Sequence, residues 1–225
     1  ILFEIFFKIF KSNFFKKYKY PIILIGSKNL LKMQMKKMNF SFEINLIKKE
    51  DIKNIIINNK KINLIDVKLN FKKPFGKISS RSSKYIKECF NIGLNIMKNK
   101  IGLALINGPI SKKHFFAGKF DGITEYLAHK TKEKNNEVML IYNKSLSVSP
   151  MTTHVALKDV SKRISTNMIV QKIMTINKFY KDKLGKIPKF AITGLNPHCE
   201  SNYNNSEEDK IIIPAIRIAQ QKKIK

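Results

Sequence analysis

Apolar residues recur at intervals of three or four positions in several parts of the chain, as they do on one face of an α-helix. This spacing predicts helices over residues 1–15, 30–38 and 169–184. The last of these ends at Gly185, a residue suited to a helix C-terminus. Ser82 and Ser83 cap a further predicted helix. Residues 206–209 have the form of a capping box and predict one more helix, which Pro214 kinks or restarts.

Short apolar or alternating runs predict strands between these helices. They cover residues 20–26, 40–47, 62–69, 102–106, 138–142 (paired with 146–151) and 189–193. Several of them end abruptly in polar, turn-forming residues, as strands of a mostly parallel sheet do at their carboxyl ends. The alternation of strands and helices predicts a layered α/β protein. The 225 residues are enough for one large α/β domain or two small ones.

Two of the predicted strands lead into histidines. Residues 146–151 run into Thr152, Thr153 and His154, and residues 189–193 run into a turn that ends at Pro197 and His198. A single histidine in a loop is most simply a solvated side chain. Two strands that deliver two histidines to the same edge of a sheet favour a site, because ligands of open α/β sheets bind at the carboxyl ends of the strands. Two imidazoles with nearby hydroxyls and carboxylates could hold a divalent metal.

The strand at 102–106 also ends in a polar loop, which contains Ser111 and Lys112 at a helix start. Backbone N–H groups and a lysine at that place suit an anion, and an ordinary helix cap explains the same residues equally well. The nine glycines contain neither a dinucleotide-binding pattern nor a P-loop. His114 and His129 lie away from the strand ends and are interpreted as surface or helix residues.

The formal net charge of +28 changes the list of possible partners. Clustered basic residues would indicate a nucleic-acid or acidic-membrane binder. The lysines are instead scattered, and the arginines preferred for phosphate and base contacts occur only at positions 81, 163 and 217. A compositional bias towards Lys, Ile and Asn explains the charge better, and nucleic-acid binding remains a minority interpretation.

Cysteine content and apolar runs bear on the compartment. Cys89 and Cys199 are too few for a disulfide framework, which indicates a reducing cytoplasm. Charges interrupt every long apolar run, so we expect no membrane span. Glu4 and Lys8 break the first run, and no cleavage site follows, which argues against a signal peptide. The chain starts without Met and ends in a Lys- and Gln-rich run, so we expect a piece that lacks both termini.

Four segments of the chain together resemble the 4-hydroxythreonine-4-phosphate dehydrogenase (PdxA) family of vitamin B6 synthesis. They are residues 107–112 (NGPISK), 122–126 (GITEY), 152–160 (TTHVALKDV) and 194–198 (GLNPH). The acidic residues 207–209 and the run 213–216 (IPAI) fit the same pattern. The resemblance extends over nearly the whole chain and is dense between residues 102 and 216.

The resemblance implies two α/β/α layered domains of the isocitrate and isopropylmalate dehydrogenase type, over residues 1–118 and 119–225 and incomplete at both ends here. It also implies a homodimer whose active sites are shared between subunits. The reaction would be the NAD- or NADP-dependent oxidation of 4-phosphooxy-L-threonine, followed by decarboxylation to 3-amino-2-oxopropyl phosphate. By motif, His154 and His198 look like two of three histidines that hold a divalent metal (Zn, Mg or Co), and Thr124 looks like the substrate-binding threonine. The resemblance identifies no cofactor-binding residue and no catalytic residue beyond the metal site.

Three departures from the family pattern qualify this expectation. Ile123 stands where the family usually has a substrate-binding histidine, and the loop after His198 is not glycine-rich. The third metal histidine and the phosphate-binding residues normally lie beyond residue 225, so we expect this polypeptide alone to be inactive. The alternatives are a related dehydrogenase of threonate or erythronate 4-phosphate, and a basic nucleic-acid-associated protein.

Overall fold

The computed structural model describes residues 2–53, 57–133, 136–197, 199 and 206–225. The chain divides into two compact units, Ile1–Lys119 and Phe120–Lys225, which are described separately below. Among the helices of the described residues, none is long and apolar enough to cross a membrane.

A parallel three-stranded sheet forms the centre of the first unit. Its strands are β1 (Ile23–Gly26), β2 (Ile44–Leu46) and β3 (Ile62–Asp66), in the order β1-β3-β2. The first four residues of β3 are buried, as expected for the middle strand of a parallel sheet that is covered on both faces. The three strands predicted from the first 69 residues are therefore confirmed, each shorter than its apolar pattern.

Helices surround this sheet. They are α1 (Leu2–Lys11), α2 (Asn13–Lys16), α3 (Lys28–Lys37), α4 (Ser83–Lys98) and α5 (Lys112–Phe115), with 3₁₀ turns at Asp51–Lys53 and Ser80–Ser82. The helices predicted at residues 1–15, at 30–38 and after Ser83 are confirmed. Ser82 occupies the N-cap position of α4, but its side chain makes no capping bond to the helix.

The buried face of α1 agrees only in part with the predicted one. The pattern placed Leu2, Ile5, Phe6, Ile9 and Phe10 on the apolar face; Phe6 and Phe10 are buried, whereas Leu2, Ile5 and Ile9 are exposed. The buried residues are phenylalanines that pack in one aromatic cluster: Phe3, Phe6, Phe7, Phe10 and, from α2, Phe15. Because an aromatic ring buries more apolar area than an aliphatic side chain, the helix turns its rings towards the sheet.

The strand predicted at 102–106 is wrong. All five residues are described, and none belongs to a strand. Leu105 approaches Gly93 of α4, whereas Leu103 and Ile106 are 77% and 82% exposed. The exposure of these side chains does not alternate as it would in a strand, and a strand exists only where a neighbouring strand takes up its backbone hydrogen bonds.

The second unit is built mainly from helices in its described part. They are α6 (Ile123–Thr131), α7 (Val160–Arg163), α8 (Thr166–Leu184) and α9 (Ile213–Gln221), with a 3₁₀ turn at Leu157–Asp159 and a π-helical turn at Glu208–Ile212. The core lies where α8 meets the π-helical turn and α9, around Ile169, Ile173, Ile212 and Ala215. Gly185 ends α8 with a positive φ of 62°, as predicted.

The strands predicted for this unit are largely replaced by irregular backbone. Ile141 and Val148 form an antiparallel bridge, which confirms that the two segments pair but not that they are strands. Residues 189–193, all described, contain no strand. The N–H of Phe190 donates instead to the carbonyl of Lys225. These segments therefore obtain their hydrogen bonds from individual contacts instead of a continuous ladder.

Leu64 and Leu103 test the difference between a real strand and a strand-like pattern. Leu64 in β3 is fully buried, so Leu64→Ala should lower the free energy of unfolding by about 2 to 5 kcal/mol. Leu103→Ala should change it by less than about 0.5 kcal/mol, because Leu103 is exposed. Urea unfolding of the two variants measures both values. Equal losses would mean that residues 102–106 form a buried strand after all.

Candidate functional site

Two of the predicted site residues, Thr124 and His154, lie in the second unit. Thr124 is the second residue of α6, whose N-cap residue is Gly122, and is half-buried. The Thr153 hydroxyl donates to the Glu125 carboxylate over 3.3 Å. Because Glu125 follows Thr124 and Thr153 precedes His154, this bond joins the two segments that carry the predicted residues.

His154 has an unusual backbone conformation. Its φ of 55° lies in the left-handed region, which costs a residue with a side chain about 1 to 2 kcal/mol. The side chain is exposed at the end of the loop. Residues held in such conformations are concentrated at functional sites, so the observation favours a role for His154 beyond packing.

Lys172 of α8 holds the segment that leads to His154. Its ammonium donates to the backbone carbonyls of Pro150 (3.3 Å) and Met151 (2.9 Å). Burial lowers the pKa of Lys172, and the nearby carboxylate of Glu137 opposes that shift. The long lysine stem reaches from a helix of the core to a loop with few other backbone partners, so the loop is tied to α8.

Glu208 holds the second loop in a similar way. One of its carboxylate oxygens accepts from the N–H groups of Leu195 (2.8 Å) and Asn196 (2.9 Å). The other oxygen accepts from the side-chain amide of Asn196 over 2.9 Å. These bonds, those from Asn196 above all, lower the pKa of Glu208 to about 2. Glu208 is 5% exposed, and hydrogen-bond donors of the loop stabilise its negative charge.

The helix that carries Glu208 begins as the sequence predicts. The Ser206 hydroxyl accepts from the N–H of Asp209 (3.2 Å), which is one of the two bonds of the predicted capping box, and donates to the Asp209 carboxylate (2.8 Å), which in a complete box would accept from the Ser206 backbone. Glu208–Ile212 forms a π-helical turn, and α9 starts at Ile213 with Pro214 in its first turn. Pro214 therefore restarts the helix, as predicted, since proline is tolerated in a first turn.

The remaining candidates from the sequence have different outcomes. His198 lies outside the described residues. Ser111 is the N-cap residue of α5 but makes no side-chain capping bond, and α5 has only four residues, so we assign no anion site there. His114 and His129 are on helices, as predicted. Within the described ranges, no group of three or more His, Cys, Asp or Glu side chains could hold a metal.

Three residues of this arrangement had no signal of their own in the sequence. Glu125 and Glu208 look like ordinary acidic residues near helix starts, and Lys172 looks like a solvated helix lysine. The partner of Glu125 lies 28 positions away in the sequence. The partners of Glu208 lie 12 and 13 positions away, and those of Lys172 lie 21 and 22 positions away. Such contacts depend on how the loops pack on the helices, which side-chain periodicity does not encode.

Comparison with known proteins relates the chain to one group of sequences. A family model described as "Pyridoxal phosphate biosynthetic protein PdxA" matches residues 17–225. The chain is 37% identical over 160 residues to a "4-hydroxythreonine-4-phosphate dehydrogenase" of Sulfurihydrogenibium sp., a match that covers 69% of this chain and 48% of the relative. A protein of the same name from Janthinobacterium sp. is 30% identical over 210 residues, covering 89% and 61%. The chain thus spans about half to three fifths of these relatives.

Solved structures of proteins with the same name have a similar fold to this chain. A "putative 4-hydroxythreonine-4-phosphate dehydrogenase" from Salmonella typhimurium superposes with a TM-score of 0.83 at 26% identity, covering 99% of this chain and 69% of that one. A structure of the same type from Burkholderia phymatum gives 0.80 at 24% identity, covering 98% and 67%. The predicted α/β fold class is therefore confirmed.

Lys172→Met tests the tie between α8 and the His154 loop. The variant keeps the length of the side chain but leaves two carbonyl oxygens without their charged donor, so the free energy of unfolding should fall by about 1 to 3 kcal/mol. Lys178 on the same helix pairs with Asp182 at the surface, and Lys178→Met should cost no more than about 0.5 kcal/mol. Urea unfolding of the two variants measures both losses of unfolding free energy. Similar values for the two variants would contradict the tie.

Glu208 predicts a specific loss of stability in acid. Its pKa of about 2 in the folded protein lies below the ordinary value of 4.5, so its charge stabilises the fold above pH 4.5. That contribution is lost as the pH falls from 4.5 towards 2. The difference in urea midpoint between wild type and Glu208→Gln should be full at about pH 6 and should shrink progressively below the ordinary pKa. A difference that does not change with pH would mean that the charge of Glu208 has no such role.

Proposed function

The chain belongs to the PdxA family of pyridoxal phosphate biosynthetic proteins, and on that basis we propose that its protein is an NAD- or NADP-dependent dehydrogenase of 4-phosphooxy-L-threonine. The substrate's secondary alcohol loses a hydride to the nicotinamide ring and a proton to solvent, which gives 2-amino-3-oxo-4-phosphooxybutanoate. This β-keto acid then loses carbon dioxide to leave 3-amino-2-oxopropyl phosphate. The names of the relatives in Sulfurihydrogenibium and Janthinobacterium support this reaction class.

The contact between Thr153 and Glu125 is the observation that carries this proposal for the chain itself. It ties the segment of Thr124 to the segment of His154, the two described residues that the family pattern assigns to substrate and metal. Because the bond brings these two segments of the chain together, we propose that the Thr124 hydroxyl and the His154 imidazole contact the same small polar substrate. We therefore assign Thr124 to substrate binding, through its hydroxyl.

A divalent metal (Zn, Mg or Co) belongs to the proposed reaction. The described residues offer one imidazole of the expected set, His154, and do not by themselves complete a metal site. An imidazole nitrogen of His154 is a suitable ligand for such ions, and we assign His198 as the second ligand by motif. When bound, the metal would act as a Lewis acid on the substrate hydroxyl. We further propose a cytoplasmic homodimer whose subunits share each active site.

Ile123 favours a second candidate function. It occupies the first position of α6, beside Thr124, and it cannot form the hydrogen bond that a histidine would offer to a substrate anion. A substrate without the amino group, threonate or erythronate 4-phosphate, would be bound by a related but different set of contacts. We therefore keep oxidation of a four-carbon sugar-acid phosphate as the alternative reaction.

The test is an NADH or NADPH absorbance assay of the complete natural polypeptide with 4-phosphooxy-L-threonine and each metal in turn. His154→Ala should lower kcat/KM at least about 100-fold, because loss even of an outer partner of a metal ligand costs up to that much. His129→Ala is the matched control, since His129 is an exposed histidine of α6, and it should leave kcat/KM within about twofold.

The other outcomes are equally distinct. Turnover of threonate or erythronate 4-phosphate alone would move the assignment to the alternative reaction and direct attention to Ile123. Equal loss in both histidine variants would contradict the role of His154. If no substrate is oxidised and the protein binds nucleic acid with an affinity that falls steeply with salt, the basic nucleic-acid-binding interpretation would replace both reactions.

A further inference from the structure

The carboxylate of Glu208 is the point where three hydrogen bonds from one short turn meet. The turn consists of Gly194, Leu195 and Asn196, and it supplies two backbone N–H groups and one side-chain amide at 2.8 to 2.9 Å. Hydrogen bonds to an ionised acceptor are about twice as strong as neutral ones. A nearly buried carboxylate with three donors therefore fixes both the position and the orientation of this turn.

Glu208 is itself held firmly by the core. It opens the π-helical turn, which is capped by Ser206 and continues directly into α9. Ile212 at the end of that turn and Ala215 of α9 are buried against α8. Turns of π-helix are uncommon and frequently lie at functional sites. The carboxylate is thus presented to the loop from a rigid element and not from another loop.

Gly194 shows how closely the turn is packed against this carboxylate. A Cβ atom at Gly194 would lie 3.2 Å from the nearer carboxylate oxygen of Glu208 and would collide with the sulfur of Cys199. The Cys199 thiol in turn donates to the carbonyl of Asn196 over 3.3 Å. The absence of a Cβ atom at Gly194 therefore allows this close approach, and φ of Gly194 is not in the left-handed region.

We propose that Glu208 is a positioning residue: it fixes the turn 194–196, which in the sequence precedes Pro197 and His198, the residue assigned by motif as the second metal ligand. The proposal rests on the proposed function in so far as His198 is taken as a metal ligand. Rigid outer partners of this kind commonly determine how well a ligand residue binds its metal. Glu208 does not need to touch substrate or metal for this role.

The neighbouring carboxylate provides a matched control. Glu207 accepts only one bond from the same turn, from the side-chain amide of Asn196 over 3.2 Å, and is less buried than Glu208. Replacing either glutamate by glutamine removes one negative charge and keeps the shape of the side chain. A difference between the two variants therefore reports the specific bonds of Glu208 and not a general change of charge.

The first measurement is amide hydrogen exchange of the complete polypeptide without metal. In Glu208→Gln, exchange at Leu195 and Asn196 should speed up at least about tenfold, because two donors lose their charged acceptor. Exchange within α8 should stay unchanged, and Glu207→Gln should match the wild type. If Glu208→Gln does not fold, Asn196→Ala removes one of the three bonds and should speed exchange at Leu195 to a smaller degree. Unchanged exchange at Leu195 would overturn the proposal.

The second measurement is the affinity for Co²⁺, followed by its absorbance in a titration. Glu208→Gln should bind Co²⁺ about 10- to 100-fold more weakly than wild type, whereas Glu207→Gln should stay within about twofold. Faster exchange with unchanged Co²⁺ affinity would overturn the role in ligand positioning. A wild type that binds no Co²⁺ would overturn the metal assignment of the proposed function, and the exchange result would still decide separately whether Glu208 fixes the turn.

Discussion

The loops around the candidate site depend on a simple constraint: a backbone that forms no continuous ladder needs other hydrogen-bond partners. In the second unit, two ionised side chains from the helices meet this need. Lys172 supplies donors to the carbonyls before His154, and Glu208 supplies an acceptor to the N–H groups before Pro197. Lys172 lies on α8 and Glu208 on the π-helical turn that packs with α9 against α8, so the geometry of the loops depends on the helical core.

The large positive charge of the chain has a limited meaning for function. A net charge of +28 attracts anions of any kind, including phosphorylated metabolites. The positive charge is therefore compatible with both proposed substrates, which are phosphorylated anions, and does not show which of them is bound. Discrimination between the two substrates has to come from single positions such as Ile123, where an apolar side chain stands in place of a possible hydrogen-bond donor. The one well-buried carboxylate discussed above, Glu208, is paired locally and is not part of this diffuse field.

Much of the architecture could be predicted from the sequence because the signals are local. Helical periodicity gave α3, α4 and α8 within a few residues, and Gly185 marked the end of α8 because only a residue without Cβ adopts its φ easily. The short apolar runs gave β1, β2 and β3. The resemblance of the motifs to the PdxA family also pointed to Thr124, His154 and His198 as site residues, and these assignments stay predictions.

Other features were decided only by the tertiary structure. The strands predicted at 102–106 and 189–193 have the right side-chain pattern, but a strand needs a neighbour, and the pattern of one segment does not specify its neighbour. The choice of phenylalanines for the buried face of α1 was likewise settled by packing. The contacts of Lys172 and Glu208 join residues far apart in the chain. The sequence by itself therefore determined which chemical groups are available and which helices carry them, and the folded chain decided which of those groups meet, because hydrogen bonds depend on distance in space.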